Sequence, residues 1–479
     1  MRPLNASSKP RFITGKLGKG RDLIKLATPK TISPIDYNAT SGDTAITGLQ
    51  GLKVTESKDD YLMTGSSHPQ DGSATVGLAY RGPLDAVSNA NYHGSTGSGD
   101  WYEINVPFAA PGGTSVYGPD DRADRGHDQI DYVGAFITDS VDFPVVGFTY
   151  SGEVDGSDSG NYRKVVGQTD SGSPGSYTYV HSVDGGLAVG NTDLAGRGYD
   201  PYGYLSLKST AFVLDLNTQV QVPIVFPSDD TNDSDAVTHT AYGIWHNGGS
   251  SYTIAGGSGT LLGHEGQSSV GSGYLIDYDS NLSGPAAFSN YQKFNLDNQP
   301  NPLQITHFEG IYRDDTGDYW LPATSGSASD GFTAEASIVK VKRTAGDGSP
   351  FKARAEWVPL DVENSSTGES SAMTTANSLA ASAVVGLATY GGSVSNYAAK
   401  LPATVTIEDF ELGRDKVRLA DGRTVQRADE ILRLAQDPES ELFGNDVKLS
   451  FASVIADLGK GQTETILSGQ DSLLGPDFL

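Results

Sequence analysis

The sequence predicts an all-β protein, about six blades of a β-propeller with a small α+β extension at the C-terminal end. Three observations lead there: a composition rich in turn formers, a phrase that recurs at a nearly constant interval, and short strand-like runs placed alike after each recurrence. Gly 59 and Tyr 23, against only 19% charged residues, describe a turn-rich β chain rather than a disordered one.

The recurring phrase is a Gly or Ser followed by an aliphatic residue or Pro. Its instances are Gly51-Leu52, Gly118-Pro119, Ser182-Val183, Gly243-Ile244, Gly310-Ile311 and Ser378-Leu379, spaced by 67, 64, 61, 67 and 68 residues. After each comes a run ending at small residues, such as Tyr61 to Gly65, Leu187 to Gly190 and Tyr252 to Gly256. A second run follows a loop, as in Gly147 to Tyr150, Ala211 to Asp215 and Gly273 to Tyr278, and a third closes most units. Runs of four to eight β-branched or aromatic residues bounded by turn formers are strands. Four strands per unit, repeated, make sheets that bury both faces only by stacking around an axis. Immunoglobulin-like sandwiches need about 100 residues per unit, so the shorter period favours the propeller.

The chain divides into a basic arm over 1–40, the repeats over 41–405 and a compositionally distinct end over 406–479. The first 30 residues carry eight basic side chains and one acidic, which leaves −33 on the remainder of a chain whose net charge is −26. Such acidity argues against nucleic-acid binding, which needs clustered cations. No apolar run is long enough to span a membrane. With no cysteine, disulfides, thiolate metal sites and cysteine nucleophiles are excluded.

The units resemble the bacterial extracellular repeats named HAF, best in Tyr242-Gly243-Ile244-Trp245, Tyr252 to Gly257 and Gly273-Tyr274-Leu275-Ile276-Asp277. The resemblance implies an extracellular propeller-type fold and brings no catalytic residue. In the C-terminal end, Thr406 to Leu419 reads strand, turn, strand, Asp421-Gly422 supplies a hairpin turn, and 425–436 has a helical pattern. Ile407-Glu408-Asp409-Phe410 through Gly413-Arg414-Asp415-Lys416-Val417 resembles the segment that follows the calcium repeats of RTX-type, type I-secreted proteins, although no Gly-Gly-x-Gly-x-Asp array is present. The resemblance implies an extracellular or cell-surface protein exported without a cleaved N-terminal signal.

No His-x-x-x-His pair, Gly-x-Ser-x-Gly elbow, phosphate loop or dinucleotide fingerprint occurs. Asp229, Thr231, Asp233 and Asp235 alternate, so their oxygens can converge on Ca²⁺; Asp155 to Asp158 and Asp314 to Asp318 are weaker versions. His181, His239 and His307 stand at or beside the repeated phrase, where a capping role is the simpler reading and an axial metal site the bolder one. Glu309 and Glu265 are candidate channel acids, while Trp101, Trp245, Trp320 and Trp357 read as blade core. The first functional reading is a secreted, non-enzymatic surface or matrix protein binding a glycan, a protein partner or its own copies. Its alternatives are a propeller-type polysaccharide hydrolase or lyase, and a self-assembling sheath or filament subunit. If the tail carries the export signal, a chain lacking 406–479 stays in the cells; equal amounts of both chains in the culture medium contradict it.

Overall fold

The computed structural model describes most of residues 44–400. The connections 56–59, 70–74, 85–90, 93–99, 123–128, 194–208, 227–236, 261–270, 297–303, 328–332, 344–349 and 363–370 lie outside the described residues, as do a few one- or two-residue stretches. Beyond 44–400 only short strands are described. The chain forms two compact units, one of Pro29–Lys400 and one of Met1–Thr28 with Leu401–Leu479.

The larger unit is all-β with a propeller arrangement, built from antiparallel meanders in chain order. The first runs Thr44–Val54, Tyr61–Pro69, Val76–Gly82, Asp100–Ile104, with Tyr37–Asn38 and Asn91–Tyr92 on its edges. An eight-stranded sheet follows. It holds Thr114–Asp121, Gln129–Ile137, Val145–Glu153 and Tyr162–Val165, then Tyr177–Asp184, Leu187–Asp193, Ser209–Asp215 and Gln221–Pro223. Its two halves touch through one parallel pair, Val145 with Tyr177. The next sheet is Val237–Gly248, Ser251–Thr260, Gly271–Asp279, Phe288–Phe294. Then come Gln304–Phe308 and Tyr312–Arg313 beside Tyr319–Ser327, Glu335–Val341 and Glu356–Pro359. The last sheet, Met373–Ala380, Ala383–Tyr390, Ser393–Lys400, takes Pro34–Ile35 as its fourth strand, so the start of the unit completes the sheet at its end.

The apolar clusters lie between consecutive meanders, as stacking sheets require. Leu62, Ala79 and Ile104 pack with Tyr132, Phe136 and Phe148; Val189 and Val213 pack with Ile244, Ile254 and Ile276. The ring closes because Leu49, Leu52 and Met63 share a cluster with Ala380, Ala383 and Val385. Polar contacts seal the same seam: Leu49 N–H donates to Asn396 Oδ1 at 3.0 Å and Asn377 Nδ2 donates to Leu49 O at 2.7 Å, both buried. Leu52 N–H donates to Ser378 Oγ at 3.1 Å.

The recurring Gly/Ser phrase falls on the first strand of each meander, or for Gly310-Ile311 between Gln304–Phe308 and Tyr312–Arg313, where neighbouring meanders approach closely. A Cβ on Gly51 overlaps the Tyr117 carbonyl oxygen and meets Pro119 Cδ at 2.6 Å; one on Gly243 meets the Gly310 carbonyl carbon at 2.7 Å. A glycine on the second strand has a different cause. A Cβ on Gly256 overlaps Thr240 O on the paired strand, and the Tyr274 hydroxyl, opposite Gly256 on the other side, donates to that same carbonyl at 2.8 Å.

In the smaller unit Thr404–Ile407 pairs in parallel with Asp446–Ser450, and Phe12–Ile13 in parallel with Lys416–Arg418. Val425, which opens the expected helix, instead closes the strand Thr424–Val425; residues 426–436 lie outside the described residues. Gly51→Ala is expected to lower stability by about 1–3 kcal/mol through overpacking. Gly48→Ala serves as its control, because there a Cβ makes ordinary contacts with Ser66 Oγ at 3.5 Å and Ser66 O at 3.9 Å. Chemical denaturation of both variants checks this, and equal midpoints contradict it.

Candidate functional site

Each first strand carries one residue too many for its partner. Pairing shifts by one between Leu49 and Gly51, between Val180 and Ser182, between Ala241 and Gly243 and between Ala376 and Ser378. On Thr114–Asp121, Val116 and Gly118 pair with consecutive residues, leaving Tyr117 unpaired. Between Phe308 and Tyr312, three residues oppose Leu321 and Pro322; proline has no N–H for the ladder, and Glu309 N–H donates to Pro322 O at 2.9 Å. A bulge of this kind re-aims the extra side chain. The residue just before it is fully buried in every case, namely Leu49, Val116, Val180, Ala241, Phe308 and Ala376.

The six extra residues are Gln50, Tyr117, His181, Tyr242, Glu309 and Asn377. All six line one cavity of about 300 Å³, together with Tyr179, Asn191, Asp193, Ser209 and Thr240. A second cavity of about 140 Å³ shares five of the six and continues to Lys53, Trp245 and Tyr312, two positions past the Gly/Ser.

His181 lies at the centre of the aromatic groups. Its ring is 4.5 Å from Tyr242 edge-on, 5.2 Å from Tyr117 and 5.9 Å from Tyr179 in a stacked pose. Nε2 donates to Asn191 Oδ1 at 2.8 Å, which leaves Nδ1 as the lone-pair nitrogen. Burial pushes this imidazole down to about 4, so it is neutral at physiological pH. Burial also raises the phenols of Tyr117, Tyr242 and Tyr179, the last to about 12, and they stay protonated as donors.

Two carboxylates complete the cavity. Burial raises Asp193 above the ordinary aspartate range, although Ser209 Oγ and Asn191 Nδ2 both donate to Oδ1 and work the other way. Glu309 Oε1 lies 2.9 Å from His307 Nδ1, close enough for a charge pair but not aligned as a hydrogen bond. Burial works against a charged His307, and the Glu309 carboxylate overrides it, so the net shift is upward. Both Glu309 and Asp193 act on the Tyr242 phenol, Glu309 more strongly.

At the other end of the axis Lys53 Nζ lies 2.7 Å from Asp184 Oδ1 and 3.0 Å from Asp120 Oδ1. Burial opposes its charge, and the two aspartates outweigh burial to raise it. Asp120 is pushed up to about 6, mainly by burial. His246 N–H and Gly185 N–H donate to Asp184 Oδ2 and Asp120 Oδ2, so four meanders meet on this triad.

Among the residues singled out from sequence, Glu309 and His181 line the cavity and His307 contacts Glu309. His239 instead stacks on Phe226 with ring centroids 3.7 Å apart. Trp101 and Trp320 are core and Trp245 and Trp357 pack against a core cluster, as expected; Trp245 also borders the second cavity. Asp229, Thr231, Asp233, Asp235 and Glu265 lie outside the described residues. The two weaker acidic loops are self-satisfied turns. Asp155 and Asp158 accept from Ser157 N–H and Gly160 N–H. Asp314 Oδ1 accepts from Thr316 N–H and Asp318 N–H, Oδ2 accepts from Trp320 Nε1, and Lys340 Nζ sits 2.9 Å from Asp318. Among the described residues no three His, Asp or Glu converge as a metal site. Sequence reasoning missed Gln50, Tyr117, Tyr242, Asn377 and Asp193. The available signal was the residue before each Gly/Ser, polar or aromatic in all six units.

Because the folded state holds His181 below its unfolded value of about 6.5, its contribution to stability is present above pH 6.5 and is lost as pH falls towards 4. His181→Gln keeps a donor for Asn191 and has no proton to gain, so its stability is expected to fall less between pH 6.5 and 4 than that of the parent. Urea denaturation across that window checks this, and parallel curves contradict it.

No protein-family profile and no curated protein matches the chain. Solved structures give remote similarities. A polysaccharide lyase described as a PL25 ulvan lyase is 9% identical, covering 77% of this chain and 87% of that one, with a TM-score of 0.37. The Penicillium chrysogenum α-L-arabinanase in complex with arabinobiose is 14% identical, covering 80% and 98%, with a TM-score of 0.33. The β-propeller domain of the Trilobed protease from Pyrococcus furiosus is 8% identical, covering 89% and 99%, with a TM-score of 0.33.

Proposed function

We propose that the chain is a glycan-cleaving propeller, a hydrolase whose active site is the cavity ringed by the six bulge residues. Breaking a glycosidic bond needs one carboxyl that keeps its proton until the leaving oxygen takes it, and a second carboxylate on the other side of the sugar. Environments that set two titratable groups apart assign those roles. Asp193, raised by burial, is the proton donor. Glu309, with His307 Nδ1 at 2.9 Å, is the opposing carboxylate that directs water or attacks the anomeric carbon. Tyr242 stands within the influence of both and supplies a protonated hydroxyl to the sugar. Aromatic faces at Tyr117 and Tyr179 suit the C–H faces of pyranose or furanose rings.

The observation that carries this reading is the meeting of Asp193, raised by burial, and a His-paired Glu309 in one polar cavity. In the same reading the eight-stranded sheet counts as two blades, which makes six with the other four sheets. Export through residues 406–479 brings such an enzyme to polymers outside the cell.

Asp193→Asn and Glu309→Gln are each expected to reduce release of reducing ends by ~10²–10⁴-fold while glycan binding persists. Reducing-end assays paired with calorimetry check this. Unchanged turnover contradicts the assignment. Glycan binding by the parent without cleavage returns the chain to the non-enzymatic binder that the sequence first favoured.

A further inference from the structure

The charges of this cavity also define what it takes. Among the described residues its lining contains no lysine or arginine. The nearest fixed cation along the axis, Lys53, is committed to Asp184 and Asp120 at 2.7 and 3.0 Å. His181 is neutral, and a proton on His307 is matched by Glu309. Recognition of a uronate or sulfate relies on charge-assisted bonds from a guanidinium or ammonium, and the described lining offers neither. An amino sugar fares little better, since Glu309 already has a counter-charge and burial favours the neutral form of Asp193. What remains is a set of neutral donors, acceptors and flat faces, from Tyr117, Tyr179, Tyr242, Asn377 and Gln50, matched to hydroxyl groups.

We infer that the substrate is an uncharged glycan, bound through tyrosine and amide side chains, and that uronate, sulfated and amino polymers are excluded because the described lining presents no uncompensated charge to receive them. This inference rests on the hydrolase reading of the same cavity. It accounts for a polar cavity whose described lining holds no lysine or arginine, which an anionic polymer leaves unexplained.

The test is calorimetric titration of the full-length Asp193→Asn protein with neutral hexose and pentose oligosaccharides, with oligogalacturonate and with chitosan oligomers, at low and high salt. Glu309→Gln is run in parallel in case the first variant folds poorly. The neutral panel is expected to bind at least tenfold more tightly than either charged one, with little salt dependence. Oligogalacturonate is expected to bind weakly at both salt concentrations. Tighter binding of oligogalacturonate or chitosan than of every neutral oligomer overturns the inference, as does anion binding that weakens with salt. The two readings fail separately. A parent protein that cleaves the uronate keeps the hydrolase and loses the uncharged substrate. Neutral binding without cleavage by the parent keeps the ligand class and loses the hydrolase. Binding of none of the three overturns both.

Discussion

The first strands of the meanders converge on one axis, and the space between them is so short that their backbones run against one another. Gly51 abuts Tyr117 and Pro119, and Gly243 abuts Gly310. A side chain at these points is possible only when it takes part in the contact. Ser378 and Ser182 do so, their hydroxyls accepting from Leu52 N–H and Ile244 N–H of the following meander. Close approach leaves no room for ordinary pairing to aim a side chain at the axis. The extra residue inserted before each Gly/Ser solves this by leaving the ladder, while its predecessor stays sealed in the core.

The rest of each meander adapts to that insertion. Opposite the bulge the second strand carries Gly65, Gly134, Gly190, Gly256 or Gly386, because a Cβ there overlaps a carbonyl of the first strand. In four cases the glycine is paired across the sheet with an aromatic ring, Phe148, Phe212, Tyr274 or Tyr397. Tyr274 and Tyr397 also donate their hydroxyls to the displaced carbonyls of Thr240 and Thr375, at 2.8 and 2.7 Å. A structural requirement at the axis thus explains both the glycine of the second strand and the aromatic residue of the third. The bulge residues differ in type from unit to unit, and their partners are local to the cavity: His181 packs against Tyr117, Tyr179 and Tyr242, and Asn377 Nδ2 donates to Leu49 O.

This division explains what was legible in the sequence. Spacing and strand runs reveal the propeller because Gly51, Gly118 and their counterparts answer to backbone contacts shared by all units. The cavity was legible only in part, at Glu309 and His181, because bulge residues differ from unit to unit and make no periodic signal by identity. Asp193 was invisible for another reason: it ends a second strand and reaches the cavity only through the pairing of that strand. The short acidic loops stayed open in the sequence because Asp, Ser and Gly serve turns and cation sites alike; at Asp314 the contacts with Thr316, Asp318 and Lys340 are those of a turn.

The absence of cysteine allows the central claim to be tested one position at a time. Single cysteines at 50, 117, 181, 242, 309 and 377 are compared with single cysteines at 49, 116, 180, 241, 308 and 376 for reaction of the folded protein with a small thiol reagent. The account predicts modification throughout the first series and protection throughout the second. Protection at the bulge positions, or reaction at their predecessors, contradicts it.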